Sequence, residues 1–298
     1  MRLASRAPDQ WVNPVLALAV LAISSAAVLV RLAPDAHPVA VGFWRTLIVA
    51  VLLAPGLRRF SSREALFTAL AGLCLAAHFW AWFASLHQTT VLRSTVLVCL
   101  GPIWAGLLEW GVWRLRPSRN FWLGISLALV GVWTIVSPAS GGDAHTAYTG
   151  DGLALLGGIL AAIYLMLGRV ARRSVSIAAY GSALSAVTAF WLLLIAIALD
   201  VPLVGFSAGT WWVFVGLALG PHLCGHIGFN FALRYRPASI VGAVTLLEPV
   251  GAAMLAAWLL QEQPTGRDVL ASGIVLVGVY LAMSQNSASS KESSPCSS

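Results

Sequence analysis

Charged residues are scarce in this sequence. Only 10% of the residues are charged, whereas 59% are hydrophobic and the mean hydropathy is +0.84. A soluble domain carries roughly 25% charged residues, so this composition is typical of a membrane protein. The connections between apolar segments are mostly short, which leaves no room for a soluble domain.

Catalytic signatures are also lacking. No Walker A sequence and no G-x-S-x-G nucleophile elbow occurs, and the four cysteines have no spacing typical of a disulfide framework or a zinc site. His222 and His226 have the i,i+4 spacing of an HExxH motif, but Leu223 stands where the catalytic glutamate belongs. We therefore predict no enzyme activity and no cofactor. An intramembrane metal-dependent enzyme using His222 and His226 remains an alternative.

Apolar segments fill the chain instead. A hydrocarbon core about 30 Å thick requires roughly 20 helical residues. Segments of this kind predict an all-α membrane protein with ten transmembrane helices. They are Trp11–Val30, Pro38–Leu57, Ala65–Leu86, Ser94–Trp113, Phe121–Pro138, Gly152–Val170, Ile177–Leu199, Thr210–Leu233, Ile240–Leu260 and Val269–Met283.

Basic residues concentrate in alternate connections between these segments. This pattern predicts a multi-pass protein of the cytoplasmic membrane with both termini in the cytoplasm. The net charge of +7 therefore orients the protein and does not indicate a nucleic-acid partner. The outer segments carry only Arg31, Arg93 and Arg267. The cytoplasmic segments carry Arg2, Arg6, Arg58, Arg59, Arg63, Arg114, Arg116, Arg119, Arg169, Arg172, Arg173, Arg234, Arg236 and Lys291.

A helical hairpin occurs twice in the chain. Residues 98–135 match residues 245–282 without a gap at a separation of 147, so that Pro102 aligns with Pro249. Each half has five predicted spans, and two copies of an odd-span unit must enter the membrane from opposite sides. The sequence therefore predicts an inverted repeat, as in many secondary transporters. A duplication without present transport, in a membrane scaffold with a dry, packed centre, is the alternative.

This plan divides the chain into four parts. We expect a first repeat at 12–138, an external linker at 139–150, a second repeat at 151–284 and a disordered cytoplasmic tail at 285–298. The linker is rich in Gly, Ser and Thr, and the tail is rich in Ser.

Several motifs resemble the EamA family of the drug/metabolite transporter superfamily. They are LLEP at 246–249, LLQEQPT at 259–265, Gly273-x4-Gly278, and GFWR at 42–45. The resemblance implies transport of small metabolites, often the export of amino acids or related compounds, through a cavity surrounded by helices one, three, four, six, eight and nine. One departure is Leu115, which stands where the family usually has an acidic residue after helix four.

Helix eight carries polar residues at successive i+4 positions. They are His222, His226, Asn230 and Arg234, and they share one broad helical face. Ionisable groups within a bilayer are costly and are interpreted as functional. This face predicts either a cavity wall or a set of hydrogen bonds between packed helices.

Glu248 and Arg45 are charged residues within predicted spans. Glu248 precedes Pro249, which can kink helix nine and free a backbone carbonyl. Its carboxyl group could carry a coupling proton, bind a substrate amine, or pair structurally with Arg45 or a histidine. The guanidinium of Arg45 could bind a substrate carboxylate or pair structurally.

The remaining candidates for substrate binding lie on other helices. His78 and Trp82 stand at i,i+4 in helix three, and Tyr164 lies in helix six. Pro102 and Pro249 are expected to shape helices four and nine. We therefore predict a secondary transporter, and specifically an exporter, that works by alternating access. Its expected partners are a small-molecule substrate and the lipid bilayer, and a homodimer is compatible with this plan.

Overall fold

Helices make up all the regular structure of the described residues. The computed structural model describes residues 9–86, 88–89, 91–114, 116–136, 144–259 and 266–283, and no strand occurs among them. The α-helices are α1 (Val12–Ser24), α2 (Ala26–Arg31), α3 (Pro38–Leu53), α4 (Ser62–Leu86), α5 (Val91–Val98), α6 (Gly101–Trp113), α7 (Arg119–Val136), α8 (Ala144–Ala171), α9 (Ile177–Ala198), α10 (Ala208–Leu217), α11 (Ile227–Ala232), α12 (Ala238–Thr245), α13 (Glu248–Leu259) and α14 (Gly266–Met283).

A π-helix and the predicted linker interrupt the series of α-helical spans. A π-helix, Ala218–His226, joins α10 to α11. Helix α8 begins within the segment predicted as a linker, so residues 144–150 are helical. The other linker residues, 139–143, and the predicted tail, 285–298, lie outside the described residues.

In the described part of the chain, six helical stretches are long and apolar enough to cross a membrane. The other four predicted spans correspond to shorter or interrupted helices, namely α5 with α6, α7, α12 with α13, and α14. The structure is thus an all-helical membrane protein. The six stretches are Val12–Arg31, Pro38–Gly56, Ser62–Leu86, Tyr148–Ala171, Ile177–Ala198 and Ala208–Ala232.

Two helices break at equivalent prolines. Pro102 is the second residue of α6 and Pro249 is the second residue of α13. Proline lacks an amide hydrogen, so it suits the first turn of a helix and interrupts a longer one. The carbonyl groups four residues earlier, at Val98 and Thr245, therefore lose their usual helical donor. The Cys99 thiol lies 3.5 Å from the Thr245 carbonyl oxygen and partly replaces that donor.

The helices of the two halves pack in matched pairs. Helix α7 packs on α14, α3 on α9 and α6 on α12, while the packing of α4 on α8 is matched by that of α1 on the π-helix and α11. A Cβ atom at Gly131 would lie 2.7 Å from the Ala271 carbonyl oxygen, and one at Gly278 would lie 2.6 Å from that of Gly124. These two contacts are equivalent in the repeat, because Gly131 corresponds to Gly278 and Gly124 corresponds to Ala271 at the separation of 147 residues. The α7–α14 crossing therefore follows the internal repeat.

The start of α4 is fixed by a capping box. The Ser61 hydroxyl accepts from the Glu64 amide at 3.3 Å, and the Glu64 carboxylate accepts from the Ser61 amide at 2.9 Å. The same carboxylate accepts from the Ser174 hydroxyl at 2.6 Å and pairs with Arg58 at 2.9 Å. This clamp joins α4 to the connection between α8 and α9.

A corresponding clamp fixes the start of α10. The Ser207 hydroxyl accepts from the Thr210 amide at 3.2 Å, and the Asp35 carboxylate accepts from the Ser207 amide at 3.1 Å and from the Thr210 hydroxyl. The hydrogen bond from Thr210, followed by that from the Ser207 amide, lowers the pKa of Asp35 below its ordinary value. This clamp joins α10 to the connection between α2 and α3.

One end of the bundle collects most of the arginines, and we call it the arginine-rich end. It comprises the start of α4 and the ends of α6, α8 and α11 with the connections that follow them. Among its contacts, Arg172 donates to the carbonyl oxygens of Val175 and of Asn230, the latter at 3.1 Å. Its arginines are Arg58, Arg59, Arg63, Arg114, Arg116, Arg119, Arg169, Arg172, Arg173, Arg234 and Arg236.

Candidate functional site

A cavity lies between helices of both halves of the chain. Its volume is about 60 Å³, which is room for a few water molecules and less than the volume of most small-molecule sites. Its walls come from α1, α4, the α5–α6 break, α8, the π-helix with α11, and α12 with α13, which are the helices that the family resemblance implies. Most of the lining is apolar. The polar and aromatic lining residues are His78, Trp82, Cys99, Tyr164, His226, Phe229, Thr245 and Glu248.

Glu248 contributes a carboxyl group to this cavity. The residue begins α13, directly after the break in the helix, and is 6% exposed. In the described structure its carboxyl group accepts a hydrogen bond from the Cys99 thiol, a weak donor that lies 3.8 Å from Oε2. No ion pair links Glu248 to Arg45 among the described side chains. The carboxyl group is therefore available to a ligand in the cavity.

Arg45 is completely buried but does not line the cavity. Its three guanidinium nitrogens have no hydrogen-bond partner among the described residues. The guanidinium lies 4.5 Å from the centre of the Phe79 ring and 5.7 Å from that of Phe83. The Phe79 ring in turn lies 5.1 Å from the His226 ring. Arg45 thus contacts the aromatic side chains behind the cavity wall, where cation–π attraction stabilises its charge.

His78 and Trp82 form one wall on α4. The His78 Nδ1 atom lies 2.9 Å from the Gly157 carbonyl oxygen, which can only accept a hydrogen bond, so Nδ1 carries a proton. The His78 ring stacks on that of Trp82 with a centroid distance of 6.0 Å, and it meets the His226 ring edge-on at 6.1 Å. The Nε1 donor of Trp82 is buried without a partner in the described structure.

A chain of hydrogen bonds orients His226. The Asn230 amide donates to the His226 carbonyl oxygen at 2.8 Å and to the Tyr164 hydroxyl at 3.3 Å. The hydroxyl lies 3.4 Å from Nδ1 of His226 and can donate to it, which leaves the ring proton on Nε2. Nε2 is buried without a partner among the described residues. It is therefore a donor available to a ligand.

The four polar residues that were predicted to share one face of helix eight have different surroundings. Of the four residues, only His226 lines the cavity. His222 turns towards α9, where Nε2 lies 2.9 Å from the Ser185 hydroxyl, while Arg234 is exposed. Pro221 lies inside the π-helix and cannot donate to the preceding turn. The His222 and His226 rings are still neighbours, with centroids 5.6 Å apart.

The two alternative functions, a metal-dependent enzyme and a non-transporting scaffold, each require a particular structure at this site. A metal-dependent enzyme needs several ligands around one point, and no group of three or more His, Cys, Asp or Glu side chains in the described ranges could hold a metal ion. A scaffold predicts a fully packed centre, whereas the centre contains a cavity with unpartnered polar atoms. Neither alternative gains support from the geometry.

A buried ion pair between Glu109 and Arg169 was not predicted from the sequence. Glu109 lies within a predicted span and is 2% exposed, and its carboxylate pairs with Arg169 at 2.8 Å. The same carboxylate accepts from the amides of Ala238 at 2.8 Å and Ser239 at 3.3 Å, at the start of α12. The argument that singled out Glu248, an acidic group within an apolar helix, applies equally to Glu109 and could have found it.

Comparison with known proteins identifies relatives over most of the chain. The sequence pattern of the EamA-like transporter family matches residues 10–137 and 148–284. The uncharacterized transporter YwfM of Bacillus subtilis is 28% identical over 84% of this chain and 86% of its own length. The threonine/homoserine exporter RhtA of Escherichia coli K12 is 26% identical over 78% of this chain and 75% of its own.

A solved crystal structure is similar in fold. It superposes with a TM-score of 0.77 at 18% identity, covering 95% of this chain and 99% of the other. A shorter relative is the probable 4-amino-4-deoxy-L-arabinose-phosphoundecaprenol flippase subunit ArnE of Klebsiella pneumoniae, 30% identical over 30% of this chain and 91% of its own. The family resemblance is therefore confirmed, and the relatives are transporters or flippase subunits rather than enzymes. This chain belongs to the EamA-like transporter family.

Proposed function

We propose that this protein is a secondary transporter that exports small polar metabolites, such as amino acids or related compounds, across the cytoplasmic membrane. The observation that carries the proposal is the central cavity, where a carboxyl group from Glu248 and a ring donor from His226 have no strong partner of their own. Unpartnered polar groups inside a membrane protein are costly, and a polar ligand satisfies them.

The polar groups of the cavity suit an amino acid. The Glu248 carboxylate can accept hydrogen bonds from an ammonium group. The substrate carboxylate can bind the Nε2 donor of His226 and the partial positive charge at the starts of α6 and α13. The aromatic rings of Trp82 and Tyr164 limit the size of the side chain. The RhtA relatives are named threonine/homoserine exporters, and this name agrees with a substrate of this size.

The transport mechanism that we propose is alternating access between two inverted repeats of five spans each. The matched helix pairs, the matched prolines Pro102 and Pro249, and the odd number of predicted spans in each half support this plan. The repeats occupy 12–138 and 151–284. The arginine-rich end faces the cytoplasm, with both termini on that side, because positive residues concentrate there.

Coupling to protons through Glu248 completes the proposal. A carboxyl group in the cavity can bind either a proton or a substrate ammonium group, so binding of one releases the other. A proton gradient could in this way drive export. His78 contacts the substrate and Asn230 orients His226, while Arg45 supplies a buried positive charge behind the cavity wall. Size-exclusion chromatography with light scattering would decide whether the protein forms a homodimer.

Transport of labelled threonine and homoserine into proteoliposomes tests the function. The wild type should take up at least one of them, and an imposed pH gradient should change the rate. Glu248→Gln should lose most of the flux and its pH dependence. Glu64→Gln, which alters a carboxyl group far from the cavity, is the matched control and should retain flux. Unchanged pH-dependent flux in Glu248→Gln would refute the coupling role, and a screen without any transported metabolite would refute the function.

A further inference from the structure

Three helix ends meet around one carboxylate at the arginine-rich end. Glu109 near the end of α6 pairs with Arg169 near the end of α8, with Oε1 and Nη1 2.8 Å apart. The carboxylate also accepts from the first two amides of α12, those of Ala238 and Ser239, at 2.8 and 3.3 Å. One buried side chain thus ties three helices together.

These three helices also wall the cavity. Along α6, Glu109 lies eight residues beyond the lining residue Gly101, which is about 12 Å of helix. Along α8, Arg169 lies four residues beyond Leu165, or about 6 Å. Ala238 precedes the lining residue Gly242 by the same number of residues on α12. The contact therefore closes the bundle directly between the cavity and the arginine-rich end.

Burial stabilises the contact between Glu109, Arg169 and the start of α12. Glu109 is 2% exposed, and the Arg169 side chain is 19% exposed and lies over the Trp113 ring at 5.5 Å. A carboxylate at the start of a helix is favoured by the orphan amide groups and the helix dipole. Separating the helices would leave this carboxylate and these amides without partners, which is strongly unfavourable for buried groups.

The position equivalent to Glu109 in the other half of the chain carries no carboxylate. The shift of 147 residues that relates the two hairpins maps Glu109 onto Ala256 and Ala238 onto Val91. An alanine methyl group cannot accept a hydrogen bond from a helix start. The two ends therefore differ at this position. At the opposite end, the Asp35 carboxylate accepts hydrogen bonds from the start of α10, which does not line the cavity.

We propose that Glu109 is a latch that keeps the cavity closed towards the arginine-rich end, and that it must release α12 before substrate enters from that side. The latch rests on the proposed transport function and on the proposed orientation with this end in the cytoplasm. Arg169 positions the Glu109 carboxylate and contributes part of the latch. The two α12 amides contribute the remainder, so loss of Glu109 has a larger effect than loss of Arg169.

Cys99 is a natural reporter for this opening. It lines the cavity and is 3% exposed, so a water-soluble reagent reaches it only when one end opens. In a background with Cys74, Cys224 and Cys296 changed to alanine, its reaction with a charged methanethiosulfonate reagent can be timed. Inside-out vesicles expose the cytoplasmic side and right-side-out vesicles expose the other side. No transported substrate is needed.

In inside-out vesicles, Glu109→Ala should raise the labelling rate of Cys99 at least tenfold, and Arg169→Gln should raise it less. Glu64→Gln is the matched control, because it removes a paired, helix-capping carboxylate from the same end without touching α6 or α12. It should leave the rate unchanged. In right-side-out vesicles the rates should not rise in any variant.

An unchanged rate in Glu109→Ala, or an equal rise from both sides of the membrane, would overturn the latch. Monodisperse elution and complete labelling after denaturation verify that each variant is folded. If Glu109→Ala does not fold, Arg169→Gln decides, and the absence of any rise in that variant would overturn the proposal. Faster labelling in a protein that transports no tested metabolite would support the latch and count against the proposed function instead.

Discussion

The α7–α14 crossing permits a test of packing in which one helix supplies both the variant and its control. Helix α14 carries Gly273 and Gly278. A Cβ atom at Gly278 would lie 2.5 Å from the Ala128 nitrogen and 2.6 Å from the Gly124 carbonyl oxygen, whereas one at Gly273 would meet nothing within 4 Å. Gly278→Ala should therefore destabilise the protein relative to Gly273→Ala.

The magnitude follows from two terms. Alanine is favoured over glycine within a helix by about 1 kcal/mol, and this term is shared by the two variants. The Cβ atom at Gly278 meets backbone atoms, which cannot rotate away, so the helices must separate. Overpacking of this kind costs about 1–3 kcal/mol. The difference in free energy of unfolding between Gly278→Ala and Gly273→Ala should accordingly be about 1–3 kcal/mol.

Reversible unfolding in mixed micelles, followed by circular dichroism, measures this difference. Gly131→Ala serves as a replicate from the other half of the chain, since its Cβ atom would lie 2.7 Å from the Ala271 carbonyl oxygen. It should behave like Gly278→Ala. Equal stabilities of Gly278→Ala and Gly273→Ala would refute the close backbone approach of α7 and α14.

Two further predictions concern polar contacts away from the latch. Tyr164→Phe removes the hydroxyl that links Asn230 to His226, so the buried amide and the ring nitrogen each lose a partner. The variant should lose about 1–3 kcal/mol of stability in the same unfolding assay. An unchanged stability would contradict this chain of hydrogen bonds. Hydrogen bonds from Thr210 and Ser207 lower the pKa of Asp35 below its ordinary value of 3.8. The clamp therefore contributes all of its stability at pH values above 3.8, and this contribution is lost as the pH falls through the lowered pKa of the folded protein. Melting temperatures of the wild type and Asp35→Asn should converge at acid pH, and a constant gap would contradict this linkage.

The sequence predicted the helical segments well where apolar length alone determines them. Helix α9 runs from Ile177 to Ala198, against a predicted segment that ends at Leu199. The breaks at Pro102 and Pro249 agree with the prediction that these prolines shape helices four and nine, because a proline within a long apolar segment removes a backbone hydrogen bond. The two glycines of the Gly273-x4-Gly278 motif could not be distinguished, since which one meets α7 depends on the rotation of α14.

The candidate site was less predictable than the helices. The i+4 spacing of helix eight does not reveal which side chains reach the cavity, because that depends on the neighbouring helices; His222, for example, contacts Ser185 on α9 instead. Only His226 of that set reaches the cavity. Glu109 shows a second limit, because its partners Arg169 and Ala238 are distant in sequence and meet it only after three helices pack. Such contacts depend on tertiary structure and leave no local pattern.

The backbone contact between α7 and α14 also limits how the protein can move. Where glycines let two main chains touch, neither helix can turn or slide without a collision. Helices α7 and α14 would then stay fixed against each other, and any rocking during the transport cycle would fall to the helices around the cavity. Duplication of the hairpin thus supplied both a moving part and the fixed frame against which it moves.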